Sequence, residues 1–250
     1  MKKYAVSLVL LFLVNSALAQ TPDAAKSNGA SAAKSSSTAP PAITDKSTPV
    51  ELARAALTAL GGENFKKLKS SMVIGSVNLY APSQTQSIPG TFAIVTAGDK
   101  VRIDINAQPV AVFKQIYDGQ RSFSNIPGVE VPPPSKFGLP VLAKFDQSGY
   151  TVTALPDKKK MRGFRIVDSE GNTTDYYIDP TTAQISEYVI PYNGYTFGSS
   201  ISKFKEIDGV MVPTSFTQRF ELPIGAYFAE YKVKDVKLNQ PIGDDVFVIK

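Results

Sequence analysis

The chain has 250 residues, of which 43% are hydrophobic and 20% charged, as is typical of a globular protein with one sizeable core or two small ones. It has no cysteine and no histidine, which excludes disulfides, thiolate metal sites and the Ser/His and Cys/His catalytic triads. The formal net charge is +5, and without Lys2 and Lys3 at the N-terminus the balance is 25 basic against 22 acidic residues, or +3; a charge this small argues against nucleic acid as the main partner.

The N-terminus has the order of a secretory signal peptide. Two lysines precede an apolar run over residues 4–14, and small residues follow up to Ala19. This order predicts a signal peptide over residues 1–19, because a permanent membrane anchor would need a longer apolar run. Residues 20–47 are rich in Ala, Ser and Pro and predict a disordered linker, which serves as a tether or as a plain spacer.

A helix is predicted to open the folded domain, residues 48–250. Thr48 and Glu51 have the spacing of a capping box, and a Gly-Gly pair at 61–62 follows the apolar stripe. A short helical turn is predicted after it.

Beyond the helix, apolar residues alternate with polar ones, as in KVRIDI (100–105) and TSFTQRFEL (214–222). Turns rich in Gly, Asp and Asn separate these segments. The pattern predicts an antiparallel meander rather than a parallel α/β fold. The other strand segments are 72–80, 91–96, 110–117, 150–154, 163–167, 197–205, 227–236 and the two strands of 174–190, which flank an Asp-Pro-Thr-Thr turn.

The predicted strands outnumber the helices available to cover them. About ten strands make a sheet some 45 Å wide, whereas one helix covers about 10 Å, or two strands. The sheet therefore closes on itself, pairs with a second sheet, or curls around a space that holds something apolar.

A Pro-rich segment, residues 125–145, interrupts the strands. Its prolines at 132–134 exclude a central strand or helix, but the apolar side chains that follow are expected to be buried. Two interpretations remain open at this point: a fixed plug that completes the core, or a movable lid over a ligand cavity.

Apolar side chains of the strands and of this segment are expected either to form ordinary core or, as a set, to line a cavity for acyl chains. The predicted ligand-binding residues are Phe92, Ile94, Val101, Ile103, Ile105, Phe137, Leu139, Leu142, Phe216, Phe220, Tyr227 and Tyr231.

Three polar stretches have a functional interpretation beside a structural one. DSEGNTTD (168–175) resembles part of a calcium loop, although such residues also favour a hairpin turn. Asp179 and Glu187 are a candidate carboxylate pair for glycoside hydrolysis, or simply flank a turn. The lysines at 158–160 are a candidate phosphate or lipid head-group site, or a solvated loop tip. We favour the structural interpretation of all three.

Several stretches, in their order along the chain, resemble the periplasmic lipoprotein-carrier superfamily (LolA/LolB/LppX/RseB-like), which includes outer-membrane lipoprotein-sorting proteins. The resemblance spans residues 48–250 and implies a curved antiparallel half-barrel whose apolar concave side, covered by helices and loops, receives acyl chains. The stretches are ALGG (59–62), GTFAIVTAGDKVRIDI (90–105) with QIYDG (115–119), YYIDPTTAQI (176–185), KFKEIDGVMVPTSF (203–216) and DDVFVI (244–249).

We therefore predict a mainly β (α+β) fold: a curved antiparallel half-barrel sheet with an N-terminal helix and a Pro-rich lid segment. The predicted function is an exported, non-catalytic carrier or binding protein for a lipid, lipoprotein acyl chains or a similar amphiphile. An envelope protein-interaction or sensor module on the same half-barrel is the alternative. We expect a periplasmic or secreted monomer with transient membrane contact, lipid, acylated protein or envelope proteins as partners, and no cofactor, metal or catalytic residue.

Overall fold

The computed structural model describes residues 41–126, 129–222 and 225–249. Residues 1–40, which hold the predicted signal peptide and most of the predicted linker, lie outside this part. The last seven residues of the predicted linker contact the folded domain. Ile43 packs against the largest core cluster, and the Arg162 guanidinium donates a hydrogen bond to the Thr44 carbonyl. The folded region therefore begins before Thr48.

Helix α1, Pro49–Ala59, begins at the predicted capping box. The Thr48 hydroxyl accepts a hydrogen bond from the Glu51 amide at 3.3 Å, and the Glu51 carboxylate accepts one from the Thr48 amide at 2.7 Å. Both bonds satisfy N–H groups that would otherwise lack a partner. Helices α2 (Glu63–Lys66) and α3 (Leu139–Leu142) have one turn each. No helix in the described part of the chain is long and apolar enough to cross a membrane.

All twelve described strands form one antiparallel sheet. The predicted segments each become a strand, and the strand that the pattern missed is β5, whose three residues are too few to show alternation. The strands are β1 Ser70–Tyr80, β2 Ile88–Ala97, β3 Lys100–Ala107, β4 Ala111–Tyr117, β5 Ser122–Ser124, β6 Thr151–Lys158, β7 Met161–Val167, β8 Thr173–Ile178, β9 Ile185–Tyr192, β10 Tyr195–Ile207, β11 Val210–Leu222 and β12 Gly225–Leu238.

The order of the strands places the two ends of the meander side by side. It runs β5-β4-β3-β2-β1-β12-β11-β10-β9-β8-β7-β6, so the first strand pairs with the last in the middle of the sheet. Strands β5 and β6 are its two edges and do not pair with each other among the described residues. The sheet is therefore an open half-barrel, and the predicted mainly β fold is confirmed.

The sheet curves towards the face that carries Phe92. This residue lies on β2 and Phe216 on β11, three strands away, which corresponds to about 14 Å in a flat sheet. Their ring centroids are only 6.4 Å apart. We call the face that carries these two rings the concave face.

Helices cover one half of the concave face. Helix α1 packs on β6 and β7, in agreement with the expectation that one helix covers about two strands. The core cluster below it joins Leu52 and Leu60 to Phe164 and Tyr176, and includes Leu142 of α3.

The outer face is partly apolar, which differs from the solvated face that strand alternation predicted. A 3₁₀ helix, Asp244–Phe247, brings Phe247 against Val95 and Ile116 of the outer face. The Arg102 guanidinium donates a hydrogen bond to the Val246 carbonyl at 3.0 Å and holds this C-terminal segment in place. A second apolar layer therefore stabilises β2 to β4 from outside.

Candidate ligand-binding site

The half of the concave face formed by β1 to β4, β11 and β12 carries an apolar cluster made only of strand residues. We call it the concave cluster. Each of the other described core clusters includes at least one helix or loop residue. Seven predicted ligand-binding residues belong to the concave cluster: Phe92, Ile94, Ile103, Ile105, Phe216, Phe220 and Tyr231.

The other five predicted site residues lie elsewhere. Val101 is buried on the concave side of β3, and Tyr227 lies on β12 opposite Phe220, half-buried; neither belongs to a core cluster. Phe137 packs with the chain around Val131. Leu139 and Leu142 of α3 pack in the core below α1. The predicted set is thus divided between the concave cluster and its surroundings.

Three aromatic rings fill the centre of the concave cluster. Tyr231 stacks on Phe216 with centroids 4.6 Å apart, and Phe92 meets Tyr231 edge to face at 4.9 Å. Gly75 makes this arrangement possible, because a methyl group there would lie 2.8 Å from the Phe92 ring and would collide with the Lys232 carbonyl. The aromatic centre therefore depends on a glycine in the neighbouring strand.

Sequence reasoning missed six members of the concave cluster. The signal was present for Val77 and Val233, which each stand between two polar residues along strands that the pattern had identified. The six are Val73, Val77, Leu79, Phe113, Ala229 and Val233.

The concave cluster is less completely covered than the helix-covered core. Only five of its members are buried and eight are half-buried, whereas the core below α1 has thirteen buried members and nine half-buried ones. Two surface grooves, of about 440 Å³ beside α1 and about 170 Å³ beside Phe247, are lined by none of the predicted site residues. In this structure aromatic side chains fill the centre of the concave cluster, and eight of its members, Phe216 among them, remain half-buried.

A row of polar side chains crosses the concave face next to the cluster. Strand pairing aligns Tyr188 of β9 with Ser199 of β10 and Ser199 with Gln218 of β11. Tyr231 donates a hydrogen bond to Gln218 Oε1 at 2.8 Å. Burial raises the pKa of the Tyr188 and Tyr231 hydroxyls, so both are neutral donors at physiological pH. We call these four residues the polar row.

The Pro-rich segment is fixed to the concave face at Gly138. The Gly138 amide donates to the Thr174 hydroxyl at 3.2 Å, and the Tyr176 hydroxyl donates to the Gly138 carbonyl at 2.6 Å. Gly138 has φ of +64°, and a methyl group there would lie 3.0 Å from the Tyr188 ring. Phe137 and Leu142 on either side are buried. The segment therefore packs tightly in this structure.

The candidate polar sites have structural roles. Asp179 accepts hydrogen bonds from the amides of Thr181 and Thr182, which lower its pKa and shape the β8–β9 turn. Glu187 pairs with Lys158 at 2.7 Å. Residues 168–175 form the β7–β8 turn and the start of β8. No group of three or more Asp or Glu side chains that could hold a metal ion occurs among the described residues.

No protein-family model matches the chain, and no curated protein matches it. Solved structures do. The chain is similar to a LolA superfamily protein from Nitrosomonas europaea, with a TM-score of 0.51, 14% identity, and coverage of 78% of this chain and 97% of that one. It is also similar to a DUF1329 family protein from Desulfovibrio piger, with a TM-score of 0.51, 11% identity, and coverage of 81% and 98%. The chain therefore has a LolA-like fold.

Proposed function

We propose that this protein is an exported, non-catalytic carrier or binding protein that holds the acyl chains of a lipid, a lipoprotein or a similar amphiphile against the concave cluster. The observation that supports the proposal is the concave cluster itself: an apolar surface of thirteen strand residues, eight of them half-buried. Soluble proteins rarely leave a contiguous apolar surface partly exposed unless it binds something.

Acyl chains fit this surface because their binding requires apolar contact and no reactive group. Each buried methylene contributes about 0.8 kcal/mol, so ten methylenes contribute roughly 8 kcal/mol before the entropic costs of association. The aromatic centre supplies flat rings against which an acyl chain can lie. Phe92 and Phe216 are each held by packing, with no hydrogen bond that movement of the side chain would break.

Mass spectrometry of organic extracts tests the proposal directly. The protein is purified from its native compartment without detergent, and a stoichiometric lipid or acylated peptide in the extract is the expected result. A clean extract, together with no binding of N-phenyl-1-naphthylamine to the purified protein, would overturn the proposal.

A matched pair of variants then tests the location of the site. Ile94→Asn places an amide on the concave cluster, and Ala93→Asn places the same group on the outer face of the same strand. We expect Ile94→Asn to lower the affinity for the probe at least tenfold and Ala93→Asn to leave it within twofold. Urea unfolding of both variants confirms that each is folded at the temperature of the assay.

One observation favours a second candidate function, an envelope protein-interaction or sensor module on the same half-barrel. The Pro-rich segment packs tightly around Phe137 and Leu142, as expected if it is a fixed plug rather than a lid. Under this alternative no lipid is extracted, and the partner is an envelope protein.

The proposed setting follows from the predicted signal peptide. It is the periplasm or the extracellular medium, where the protein acts as a monomer that contacts the membrane only transiently. Under the carrier function, its partners are a lipid or an acylated protein.

A further inference from the structure

We propose that the polar row binds the carbonyl of an acyl ester or amide. The preferred ligand is then a neutral acylated molecule, rather than a free fatty acid or a phosphorylated lipid whose charged group lies at the concave face. The proposal rests on the proposed function and specifies the ligand class for the same site. It is carried by the alignment of Tyr188, Ser199 and Gln218 across three adjacent strands, beside Tyr231 of the concave cluster.

The polar row is unusual for its position. Phe216 and Phe220 precede and follow Gln218 at alternate positions of β11 and belong to the concave cluster, so strand geometry places Gln218 on the same face. Ser199 is similarly aligned between Phe197 and Ile201 and is buried. Burying polar groups costs free energy unless they form hydrogen bonds. An ordinary core would have apolar residues at these positions.

The polar row has hydrogen-bond donors to spare. Tyr231 donates its proton to Gln218 Oε1, and burial raises the pKa of the Tyr188 hydroxyl, an effect that its hydrogen bond with Ser199 only partly offsets. Gln218 Nε2 has no acceptor among the described residues, although an amide nitrogen carries two donor protons. A carbonyl oxygen is the acceptor that an acyl ester or amide would bring to this position. Its chain would then extend along the concave cluster.

The charge of the surroundings excludes an ionised group. The described buried polar side chains are Ser70, Gln115, Ser135, Thr174 and Ser199, none of which is charged. The concave positions of β9 to β12 between Tyr188 and Tyr231 carry neither lysine nor arginine. A carboxylate or phosphate here would be removed from water without a cation to pair with, which is strongly unfavourable. A neutral carbonyl requires only a donor.

The test compares methyl palmitate with palmitate as competitors for N-phenyl-1-naphthylamine bound to the full chain at pH 8, at concentrations where palmitate forms no micelles and methyl palmitate stays in solution. We expect methyl palmitate to bind at least ten times more tightly. Gln218→Met keeps the length of the side chain and removes the donor, and should weaken methyl palmitate binding about three- to tenfold, as expected for one hydrogen bond. The affinity of the same variant for the probe, which has no carbonyl, is measured alongside, and the loss for methyl palmitate should exceed any change in probe affinity.

Two controls keep the test decisive. Thr217→Val changes the neighbouring residue on the outer face of β11 and should alter neither affinity. The infrared carbonyl band of bound methyl palmitate should lie at lower frequency than in hydrocarbon solvent, and should shift back in Gln218→Met. If Gln218→Met does not fold, Gln218→Leu, which also removes the amide donor, is compared by the same infrared band and should show the same shift back.

The outcomes separate this inference from the proposed function. Equal binding of palmitate and methyl palmitate, with no effect of Gln218→Met on either the affinity or the infrared band, would overturn the inference while probe binding still supports a carrier. If neither the probe nor either lipid binds, the proposed function fails and the inference fails with it.

Discussion

The hydrogen bond between the Tyr176 hydroxyl and the Gly138 carbonyl is predicted to stabilise the attachment of the Pro-rich segment. Tyr176→Phe removes only the hydroxyl. The ring is fully buried and stacks on Phe164 with centroids 5.0 Å apart, so its apolar contacts remain. The substitution therefore removes the buried hydrogen bond of 2.6 Å to Gly138, together with the hydroxyl that the Thr174 side chain also contacts.

The magnitude follows from what is left behind. Without the Tyr176 hydroxyl, the carbonyl of Gly138 loses its donor in a buried place, which costs about 1–3 kcal/mol of unfolding free energy. The Gly138 amide keeps its bond to Thr174 and limits how far the segment can move to find water. Both bonds hold the same glycine, so the effects of Thr174→Val and Tyr176→Phe on the unfolding free energy should not be additive. We expect a coupling energy of about 0.5 kcal/mol or more, as seen for neighbouring groups.

Urea unfolding followed by far-ultraviolet circular dichroism measures the loss. Tyr227→Phe is the matched control, because the Tyr227 hydroxyl has no hydrogen-bond partner among the described residues, and should change stability by less than about 0.5 kcal/mol. Equal midpoints for Tyr176→Phe and Tyr227→Phe would refute the reasoning. So would strictly additive effects of the Tyr176 and Thr174 substitutions.

Three further predictions concern the sheet. Gly75→Ala should lower the unfolding free energy by about 1–3 kcal/mol, since the methyl group would collide with the Lys232 carbonyl; an unchanged melting temperature would contradict this. The pKa of Asp179 is lower in the folded state, so this carboxylate stabilises the protein above its unfolded pKa of about 3.9, and the stabilisation is lost as the pH falls further. Asp179→Asn should therefore flatten the fall in the urea midpoint between about pH 4 and pH 2.5. Parallel curves for the two proteins would argue against the turn hydrogen bonds as the cause. Arg165→Ala should cost about 0.5–1 kcal/mol, because its bidentate pair with Asp175 is partly exposed, and a double-mutant cycle with Asp175→Ala that shows no coupling would contradict it.

Strand alternation predicted most of the fold because each strand has one buried face. The pattern identified β1 to β4 and β6 to β12, and it placed Phe92, Ile105 and Tyr231 correctly on one apolar face. It did not predict that β12 pairs with β1, because alternation specifies which side a residue faces and not which strand lies next to it. This pairing brings β2 close enough to β11 to form the concave cluster.

The remaining features depend on contacts distant in sequence. The C-terminal segment makes apolar contacts with the outer face through Phe247. The sequence contains no local signal for these contacts, because the outer residues of β3 include the charged Arg102. The polar row was detectable in part, because Gln218 has the same parity as Phe216 and Phe220, although alternation alone gives a glutamine no reason to be inside. The tight attachment of Gly138 required the structure, since its partners lie more than thirty residues away.

The pairing of the first strand with the last has a consequence for the order of folding. Residues Ser71 and Leu238 are partners across the join of β1 and β12, so the sheet cannot be completed before nearly the whole chain is available. Closing so long a loop is slow, and until β1 and β12 pair each half of the meander has an apolar edge uncovered. The join is therefore the step at which the chain is most exposed to aggregation, and a chain that stops before β12 would be left with two separate half-sheets and no concave cluster.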